Sequence, residues 1–242
     1  MASKYLHDSF VHNTKAAEKI IPFLFQVFKP ESVVDIGCGT GTWLKVCTDN
    51  GVSNILGIEG NHLDVARLVI PKEFVLLSDL EKNFGIKKKF DIAICLEVAE
   101  HLNPAVADKF IEQVTLLSDV VLFSAAIPYQ GGQNHINEQW FKYWVELFNR
   151  CGFQPYDIIR PLFWEAEDVE FWYAQNSCIF VKHPEKWSVL NSFPTFNNKN
   201  LVHPLLFQKT GEYKQALQQG KVSFGFIFKL IAKKIIRIFN RN

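Results

Sequence analysis

Two polar stretches of the sequence carry side chains that are suited to proton transfer or metal binding. The first is EVAEH at residues 97–101, and the second is GGQNHINEQW at residues 131–140. Each stretch follows an apolar run that is typical of a buried strand. Carboxylates and imidazoles together form an oxygen and nitrogen ligand set that suits Mg²⁺, Mn²⁺, Fe²⁺ or Zn²⁺. A histidine in such a place can instead remove a proton as a general base.

A glycine-rich stretch, VVDIGCGTGTW, lies nearer the start of the chain at residues 33–43. A predicted strand ends at Asp35, and Gly37, Gly39 and Gly41 follow before a predicted helix. Glycines at such a turn allow a ligand to approach the bare backbone. The spacing G-x-G-x-G differs from the dinucleotide fingerprint G-x-G-x-x-G, and a structural turn also uses glycine. The following strands must therefore indicate the ligand.

Two acidic residues end the next two predicted strands. Glu59 ends the run NILGIE, and Asp79 ends the run EFVLLSD. Open α/β sheets bind their ligands beyond the carboxyl ends of the strands. At that edge Glu59 can accept hydrogen bonds from two ribose hydroxyls, and Asp79 can accept one from an adenine amino group. These acids favour a ligand that contains a nucleoside.

Strands and helices alternate along the chain, which predicts a doubly wound α/β sheet. Apolar residues at helical spacing mark 14–28, and Asn103 followed by Pro104 predicts a helix start. Residues 139–152 have a helical pattern that Gly152 ends. The predicted strands are 32–37, 54–59, 73–79, 90–98 and 119–127, and the segments 153–160 and 173–182 are predicted to form a final antiparallel pair.

The composition excludes several classes of protein. A chain of 242 residues, 48% of them hydrophobic, is long enough for one full-sized globular domain and an appendage. The formal net charge of +1 gives no whole-protein attraction to nucleic acid. Five scattered cysteines without a C-x-x-C pair indicate a reducing compartment and argue against a cysteine zinc site. The first residues lack an apolar signal core, and no apolar run is long enough to span a bilayer, so we expect a cytoplasmic protein.

The glycine-rich turn, the acids that end strands two and three, and FDIAICLEVAEHL at 90–102 together resemble the class I S-adenosylmethionine-dependent methyltransferases. The resemblance implies a mostly parallel, seven-stranded Rossmann-like sheet with helices on both faces. It also implies that the turn after strand one cradles the amino-acid end of S-adenosylmethionine, and that Leu96 and Glu97 lie beside the reactive methyl group. The ribose is expected on Glu59 and the adenine beside Asp79 and Leu80. The cofactor site predicted in this way is Asp35, Gly37, Cys38, Gly39, Gly41, Glu59, Gly60, Asp79, Leu80 and Leu96.

The pattern E-x-x-E-H with a later histidine resembles the metal site of the small-RNA 3′-end 2′-O-methyltransferases, and some ubiquinone-pathway O-methyltransferases are similar. Carried over, Glu97, Glu100, His101 and His135 would hold a divalent ion that binds the acceptor oxygens. Many class I methyltransferases carry E-H after strand four without a metal. Two other interpretations therefore remain: His135 is the general base of a metal-free site, or it is purely structural. The predicted catalytic residues are His135 and Glu97.

Aromatic residues follow the second polar stretch densely. Trp144 is expected in the core, whereas Trp140 and Trp164 lie nearer loops and are predicted to be pocket walls. Asn134 and Glu138 are the predicted polar contacts to the substrate. Flat aromatic faces beside such groups suit a sugar, and they also suit a nucleotide by stacking, but no lysine–arginine stripe flanks the site. These aromatic and polar residues together resemble those of bacterial class I methyltransferases that modify glycans and secondary metabolites.

The C-terminal segment 221–242 has a pattern of its own. Basic residues recur every fourth position at Lys229, Lys233, Arg237 and Arg241, an apolar face lies beside them, and no acid is present. This pattern predicts a basic amphipathic helix. Such a helix lies on an anionic membrane surface, or it packs on its own domain or on a partner chain.

The sequence thus predicts a methyltransferase domain over 1–185, helix 14–28 included, and a C-terminal extension over 186–242. The expected activity is S-adenosylmethionine-dependent O-methylation of a hydroxyl on a saccharide or another polyhydroxylated small molecule, with a divalent metal as one option. The alternatives are a metal-independent N- or carboxyl-methyltransferase of a small metabolite, and a catalytically silent scaffold that binds the cofactor. We expect a glycan-like small-molecule acceptor and no nucleic-acid partner. Besides the cytoplasm, the inner face of the membrane is an option for the location.

Overall fold

A computed structural model describes residues 13–193, 200–221 and 225 of the chain. The chain divides into two compact units, residues 1–201 and 202–242. Seven strands of the first unit form a single sheet. They are β1 Ser32–Ile36, β2 Asn54–Glu59, β3 Val75–Leu77, β4 Ile92–Leu96, β5 Val120–Ser124, β6 Gln154–Tyr156 and β7 Cys178–Val181.

The strand order in the sheet is β3-β2-β1-β4-β5-β7-β6. Strands β1 to β5 run parallel, whereas β7 is antiparallel to both of its neighbours, β5 and β6. This confirms the predicted seven-stranded, mostly parallel sheet with a final antiparallel pair. Because β7 is reversed, its first residue, Cys178, pairs with Phe123 near the carboxyl end of β5. The amino end of β7 therefore lies at the same edge of the sheet as the carboxyl ends of the parallel strands.

Helices cover both faces of the sheet, as predicted. In the first unit they are α1 Lys15–Phe28, α2 Thr42–Asp49, α3 Ala107–Leu117, α4 Phe141–Arg150, α5 Ile159–Phe163 and α6 Phe171–Asn176, and the second unit contains α7 Pro204–Gln218. Short 3₁₀ helices are Val65–Arg67, Lys72–Phe74, Ala99–His101, Pro104–Val106, Pro184–Lys186 and Ser188–Ser192.

The strand side chains divide between two apolar cores because successive residues of a strand point to opposite faces. Val33 of β1 packs in the core that contains Ile20 of α1. Val34, the next residue, packs in the core that contains Phe110 of α3 and Trp144 of α4. Strands β1, β4 and β5 are buried along their whole length, which explains their continuous apolar sequences.

Sequence signals at the helix ends are confirmed in two places. The Asn103 side chain accepts a hydrogen bond of 3.0 Å from the backbone N–H of Ala105, and Pro104 opens the turn that leads into α3. Gly152 has a φ of 82° just after α4 and ends that helix. None of the helices in the described ranges is both long and apolar enough to cross a membrane.

Every predicted strand except 54–59 is shorter in the structure than the sequence predicted, and two of these differences have a clear structural cause. Of residues 73–79, only Val75–Leu77 form β3, because this edge strand pairs with β2 alone and its Leu76 side chain is exposed. Of residues 173–182, the first part belongs to α6, where Tyr173 packs edge-on against Trp43. In the sequence, a short helix with buried residues has the same pattern as a strand when an apolar run follows it.

Residues at the end of the first unit belong to its core. Leu190, in the last 3₁₀ helix, is buried in the same core as Ile20. The organisation into a domain over 1–185 and an extension over 186–242 stays a prediction. The predicted amphipathic helix 221–242 lies outside the described residues, apart from 221 and 225.

Candidate active site

The turn after β1 closely approaches the segment after β4. Asp35 and Ile36 end β1 inside the core, and Gly37 follows with a φ of 75°. A Cβ atom on Gly37 would lie closer than 3.0 Å to the side chain of Val98. The left-handed backbone and the lack of space together require glycine at this position.

Two buried carboxylates face the glycine-rich turn. The Glu59 carboxylate accepts hydrogen bonds of 2.7 Å from the backbone N–H groups of Gly39 and Gly60. Asp35 is also buried, and its Oδ2 atom has no hydrogen-bond partner among the described residues. Burial raises the pKa of Asp35, and the neighbouring Glu59 carboxylate raises it further. A cationic ligand at this edge of the sheet would therefore stabilise the ionised forms of these two acids.

The other predicted cofactor residues occupy two kinds of surroundings. Cys38, Leu80 and Leu96 are buried around the same edge of the sheet. Asp79 is exposed beyond the end of β3, where Lys82 forms an ion pair of 3.1 Å with it and lowers the pKa of its carboxyl group. The structure therefore does not bring Asp79 into the buried part of the edge, and its contact with adenine stays a prediction.

Glu97, directly after β4, has a left-handed backbone with a φ of 54°. Its backbone N–H donates to the carbonyl and the hydroxyl oxygen of Ser124, both at 3.1 Å. These bonds fix the turn that leads the chain away from the sheet, since a non-glycine residue adopts this conformation only when its surroundings enforce it.

The Glu97 carboxylate is held by two side-chain amides that the sequence analysis missed. Gln130 donates to Oε2 at 2.9 Å, and Asn176 donates to Oε1 at 3.1 Å. Asn176 also donates to the Gln130 carbonyl oxygen at 2.9 Å, and Gln175 donates to both of these residues. A sequence signal existed, because Gln175-Asn176-Ser177 is a buried polar run directly before the apolar strand β7.

Glu100, His101 and His135 come together beside Glu97. One ligand atom from each of the three lies within 4.8 Å of the others, and the two imidazole rings meet edge to face with centroids 4.8 Å apart. Glu100 is fully buried, and neither of its carboxylate oxygens has a hydrogen bond of regular geometry among the described residues, although the nearby backbone N–H groups of Glu100 and Ala126 lower its pKa in part. Such a group is costly to bury unless a ligand pairs with it.

Burial controls the protonation of this cluster. The pKa of Glu100 is raised well above its usual value, first by burial and then by the nearby Glu97 carboxylate. The pKa of Glu97 is also raised by burial, although the Asn176 hydrogen bond lowers it in part. Burial lowers the pKa of His101 to about 4, and the neighbouring His135 contributes to this shift. At neutral pH His101 is therefore an uncharged imidazole, which is the form that binds metal ions.

The loop between β5 and α4 carries His135 to this cluster. The Glu100 carbonyl oxygen accepts hydrogen bonds of 2.9 Å from the backbone N–H groups of Ile136 and Asn137, which tie the loop to the turn after β4. His135 Nδ1 lies 3.0 Å from an oxygen of Glu138. The two polar stretches of the sequence therefore meet as expected.

The predicted substrate residues lie on the outer part of this region. Asn134 is exposed with a φ of 62°, and Trp140, just before α4, is 39% exposed. Trp164, directly after α5, is half-buried. The Glu138 carboxylate instead points into its own loop, where it accepts backbone hydrogen bonds. Substrate contact by these four residues stays a prediction.

Solved structures with a similar fold include S-adenosylmethionine-dependent methyltransferases. One such enzyme from Archaeoglobus fulgidus has 17% sequence identity and a TM-score of 0.50, over 60% of this chain and 72% of its own. The methyltransferase domain of bacterial CtHen1 has 16% identity and a TM-score of 0.50, over 69% and 97%. CalS10, an amino pentose methyltransferase from Micromonospora echinaspora, has 13% identity and a TM-score of 0.51, over 70% and 91%. At these identities the likeness shows the fold alone.

The residues at the site fit the cofactor of this class. The amino-acid end of S-adenosylmethionine carries an ammonium group, and the unpartnered Asp35 Oδ2 beside the glycine-rich turn is suited to it. The Glu59 carboxylate, at the end of β2, is suited to the ribose hydroxyls. The fold and this donor set define a class I S-adenosylmethionine-dependent methyltransferase.

The family assignment comes from the sequence. A family model described as a methyltransferase domain matches residues 7–166, and the chain belongs to this methyltransferase domain family. Among curated proteins, none matches the chain. The class of reaction is therefore methyl transfer from S-adenosylmethionine.

Proposed function

We propose that the protein methylates a hydroxyl group of a saccharide or another polyhydroxylated small molecule, and that a divalent cation at Glu97, Glu100, His101 and His135 orients this acceptor. The observation that carries the proposal is the fully buried Glu100 carboxylate, which lacks a hydrogen bond of regular geometry and lies together with the two imidazoles of His101 and His135. Oxygen and nitrogen ligands of this kind suit Mg²⁺, Mn²⁺, Fe²⁺ or Zn²⁺.

The reaction requires the acceptor oxygen to form a bond to the methyl carbon while the sulfur–methyl bond breaks and the hydroxyl proton leaves. When bound, S-adenosylmethionine supplies a methyl group that its sulfonium already activates. The protein must align the hydroxyl, remove its proton and exclude water. In this proposal Glu97 or His135 accepts the proton, and a cation on the cluster would lower the pKa of the hydroxyl.

Several features support a small, polyhydroxylated acceptor. Trp140, at the end of the polar loop, and Trp164, after α5, are partly exposed, and aromatic faces pack well on sugar rings. The formal net charge of +1 gives no general attraction to a nucleic-acid backbone. The neighbour CalS10 acts on an amino pentose, so this fold is able to serve a sugar-type acceptor.

Metal binding is the sharpest test. We expect the EDTA-treated protein to bind Mn²⁺ by isothermal titration calorimetry, and we expect Glu100→Gln to reduce the affinity by about 10-fold or more. Glu112→Gln is the matched control, because Glu112 is an exposed carboxylate on α3. Methyl transfer to sugar, nucleotide and small-acid acceptors is then measured with and without Mn²⁺ or Mg²⁺. A rate that EDTA does not change, or transfer only to an amine or carboxylate, would overturn the proposal.

A second candidate is a metal-free site in which His135 is the general base. The observation that favours it is the Glu138 carboxylate at 3.0 Å from His135 Nδ1, since a carboxylate commonly orients a histidine base and stabilises its protonated form. Under this alternative, Glu100→Gln and the wild type give the same result in the Mn²⁺ titration, and His135→Gln abolishes turnover. A protein that binds S-adenosylmethionine but transfers no methyl group to any acceptor would instead be a scaffold.

A further inference from the structure

One carboxylate organises the loop that carries His135. Glu138 Oε2 accepts a hydrogen bond of 2.9 Å from the backbone N–H of Tyr129, and Oε1 accepts one of 2.8 Å from the backbone N–H of Gly131. The same Oε1 lies 3.0 Å from His135 Nδ1. A single side chain therefore connects the start of the loop, its glycines and its histidine.

The backbone of this loop needs such a connection. Tyr129 has a φ of 72° and Asn134 a φ of 62°, and the left-handed conformation costs about 1–2 kcal/mol for a residue with a Cβ. The Tyr129 side chain is 84% exposed, so packing does not hold it in this conformation. Two hydrogen bonds hold it: one from its own N–H to Glu138, and one of 3.1 Å from the Gln130 N–H to the Ile127 carbonyl oxygen, which closes the turn.

The contact with Glu138 favours one of the two tautomers of His135. An ionised carboxylate only accepts hydrogen bonds, so Nδ1 must be the donor. In the neutral imidazole the lone pair is then on Nε2. Nε2 is the atom that remains for a metal ion or for the proton of the acceptor.

A glycine keeps the space at this nitrogen open. A Cβ atom on Gly132 would lie closer than 3.0 Å to Nε2 of His135. Glu138 acts on one nitrogen of the ring and Gly132 leaves room at the other, while the ring of His101 meets this imidazole edge to face.

We propose that Glu138 is a positioning residue that presents the Nε2 lone pair of His135 to the reaction centre, in place of the substrate contact predicted from the sequence. The inference rests on the proposed function only for the task of Nε2, which is metal binding in one candidate and proton removal in the other. The fixed tautomer and ring orientation are the same in both.

The tautomer of His135 tests this proposal directly. In protein labelled with ¹⁵N-histidine, the side-chain nitrogen shifts report which ring nitrogen is protonated, and His135→Gln assigns the signals. We expect an Nδ1–H imidazole in the wild-type protein and a shift of the population towards Nε2–H in Glu138→Ala. Glu146→Ala, which removes an exposed carboxylate of α4, is the matched control and should leave the signals unchanged.

Kinetics and a milder variant complete the test. We expect Glu138→Ala to lower kcat by roughly 10- to 100-fold with an unchanged dissociation constant for S-adenosylmethionine. Glu138→Gln retains one acceptor oxygen and should recover part of both the tautomer and kcat, which also covers the case in which the alanine variant does not fold. An unchanged tautomer with a raised KM for the acceptor would overturn the proposal and restore Glu138 as a substrate contact. If the metal and acceptor tests fail but the tautomer shifts, the proposed function is wrong and the positioning role stands.

Discussion

The space around Gly37 determines which residue type can occupy this position. It lies where the turn after β1 passes the segment after β4, and any side chain there would meet Val98. Its φ of 75° adds backbone strain for every residue except glycine. A substitution at Gly37 therefore tests whether this turn holds the cofactor.

We expect Gly37→Ala to weaken S-adenosylmethionine binding by about 10-fold or more. The alanine would add about 1–2 kcal/mol of backbone strain and its Cβ atom would meet Val98, and both effects would displace the turn. Titration calorimetry measures the dissociation constant, and a thermal melt measures stability. Gly85→Ala is the control, because Gly85 has a similar φ of 70° but open space around its Cβ position. It should lower the melting temperature without changing cofactor affinity. Equal cofactor affinity in Gly37→Ala and the wild type would show that the turn does not bind the cofactor.

At the scale of the elements, the reversed direction of β7 matters most for the site. The chain leaves α6 at Asn176 and enters β7 at the edge where β4 ends. Asn176 therefore reaches the Glu97 carboxylate although 79 positions separate them in the sequence. A parallel strand in this place would bring its carboxyl end to the site instead.

We predict that Asn176→Ala lowers kcat/KM by roughly 10-fold, since removing one partner of a buried polar group costs about 1–3 kcal/mol and Glu97 would lose one of its two amide donors. Steady-state kinetics on the identified acceptor give the ratio. Asn149→Ala, an exposed position on α4, controls for the loss of an amide. An Asn176 variant with wild-type kinetics would mean that Gln130 alone suffices to hold Glu97.

These elements also show what the sequence could and could not predict. The apolar runs predicted the parallel strands because strands buried on both faces have nearly continuous apolar sequences. The polar stretches at 97–101 and 131–140 do meet, and three of the four predicted ligands, Glu100, His101 and His135, lie together, while metal binding stays a prediction. Asn176 was missed because the rule of carboxyl strand ends does not cover a reversed strand. The contacts of Glu138 were missed because they depend on the left-handed backbone of Tyr129, and a tyrosine does not signal that conformation.

At the scale of the whole molecule, the C-terminal segment 221–242 has a basic and apolar pattern that suggests a membrane surface as its partner. We propose that deleting residues 222–242 reduces sedimentation with anionic liposomes and leaves methyl transfer to a soluble acceptor within about twofold, because basic residues near such a surface contribute about 1 kcal/mol each. Liposomes of neutral lipid are the control, and neither protein should sediment with them. Unchanged sedimentation after the deletion would leave packing on the domain or on a partner chain as the explanation.

The buried acids link stability to pH for the whole domain. The pKa values of Asp35, Glu59, Glu97 and Glu100 are all raised by burial. A raised carboxyl pKa means that the folded state binds more protons than the unfolded state, so stability falls as the pH rises from the unfolded pKa towards the folded one. His101, whose pKa is lowered to about 4, acts in the opposite direction below about pH 6.5. The effect of the acids is therefore clearest above about pH 6.5, where His101 is uncharged in both the folded and the unfolded state.

In that window we expect the melting temperature of the ligand-free protein to fall with pH by about 2–4 °C per pH unit for each acid that still titrates. Glu100→Gln replaces the most enclosed of these acids by a neutral amide, so its melting temperature should fall less steeply, while Glu112→Gln should follow the wild type. Mn²⁺ should raise the melting temperature of the wild type more at pH 8 than at pH 6.5, because the cation binds the ionised form of Glu100. Parallel pH profiles for Glu100→Gln and the wild type would show that Glu100 is already ionised and compensated in the folded protein, and the argument for a cation at this cluster would fail with it.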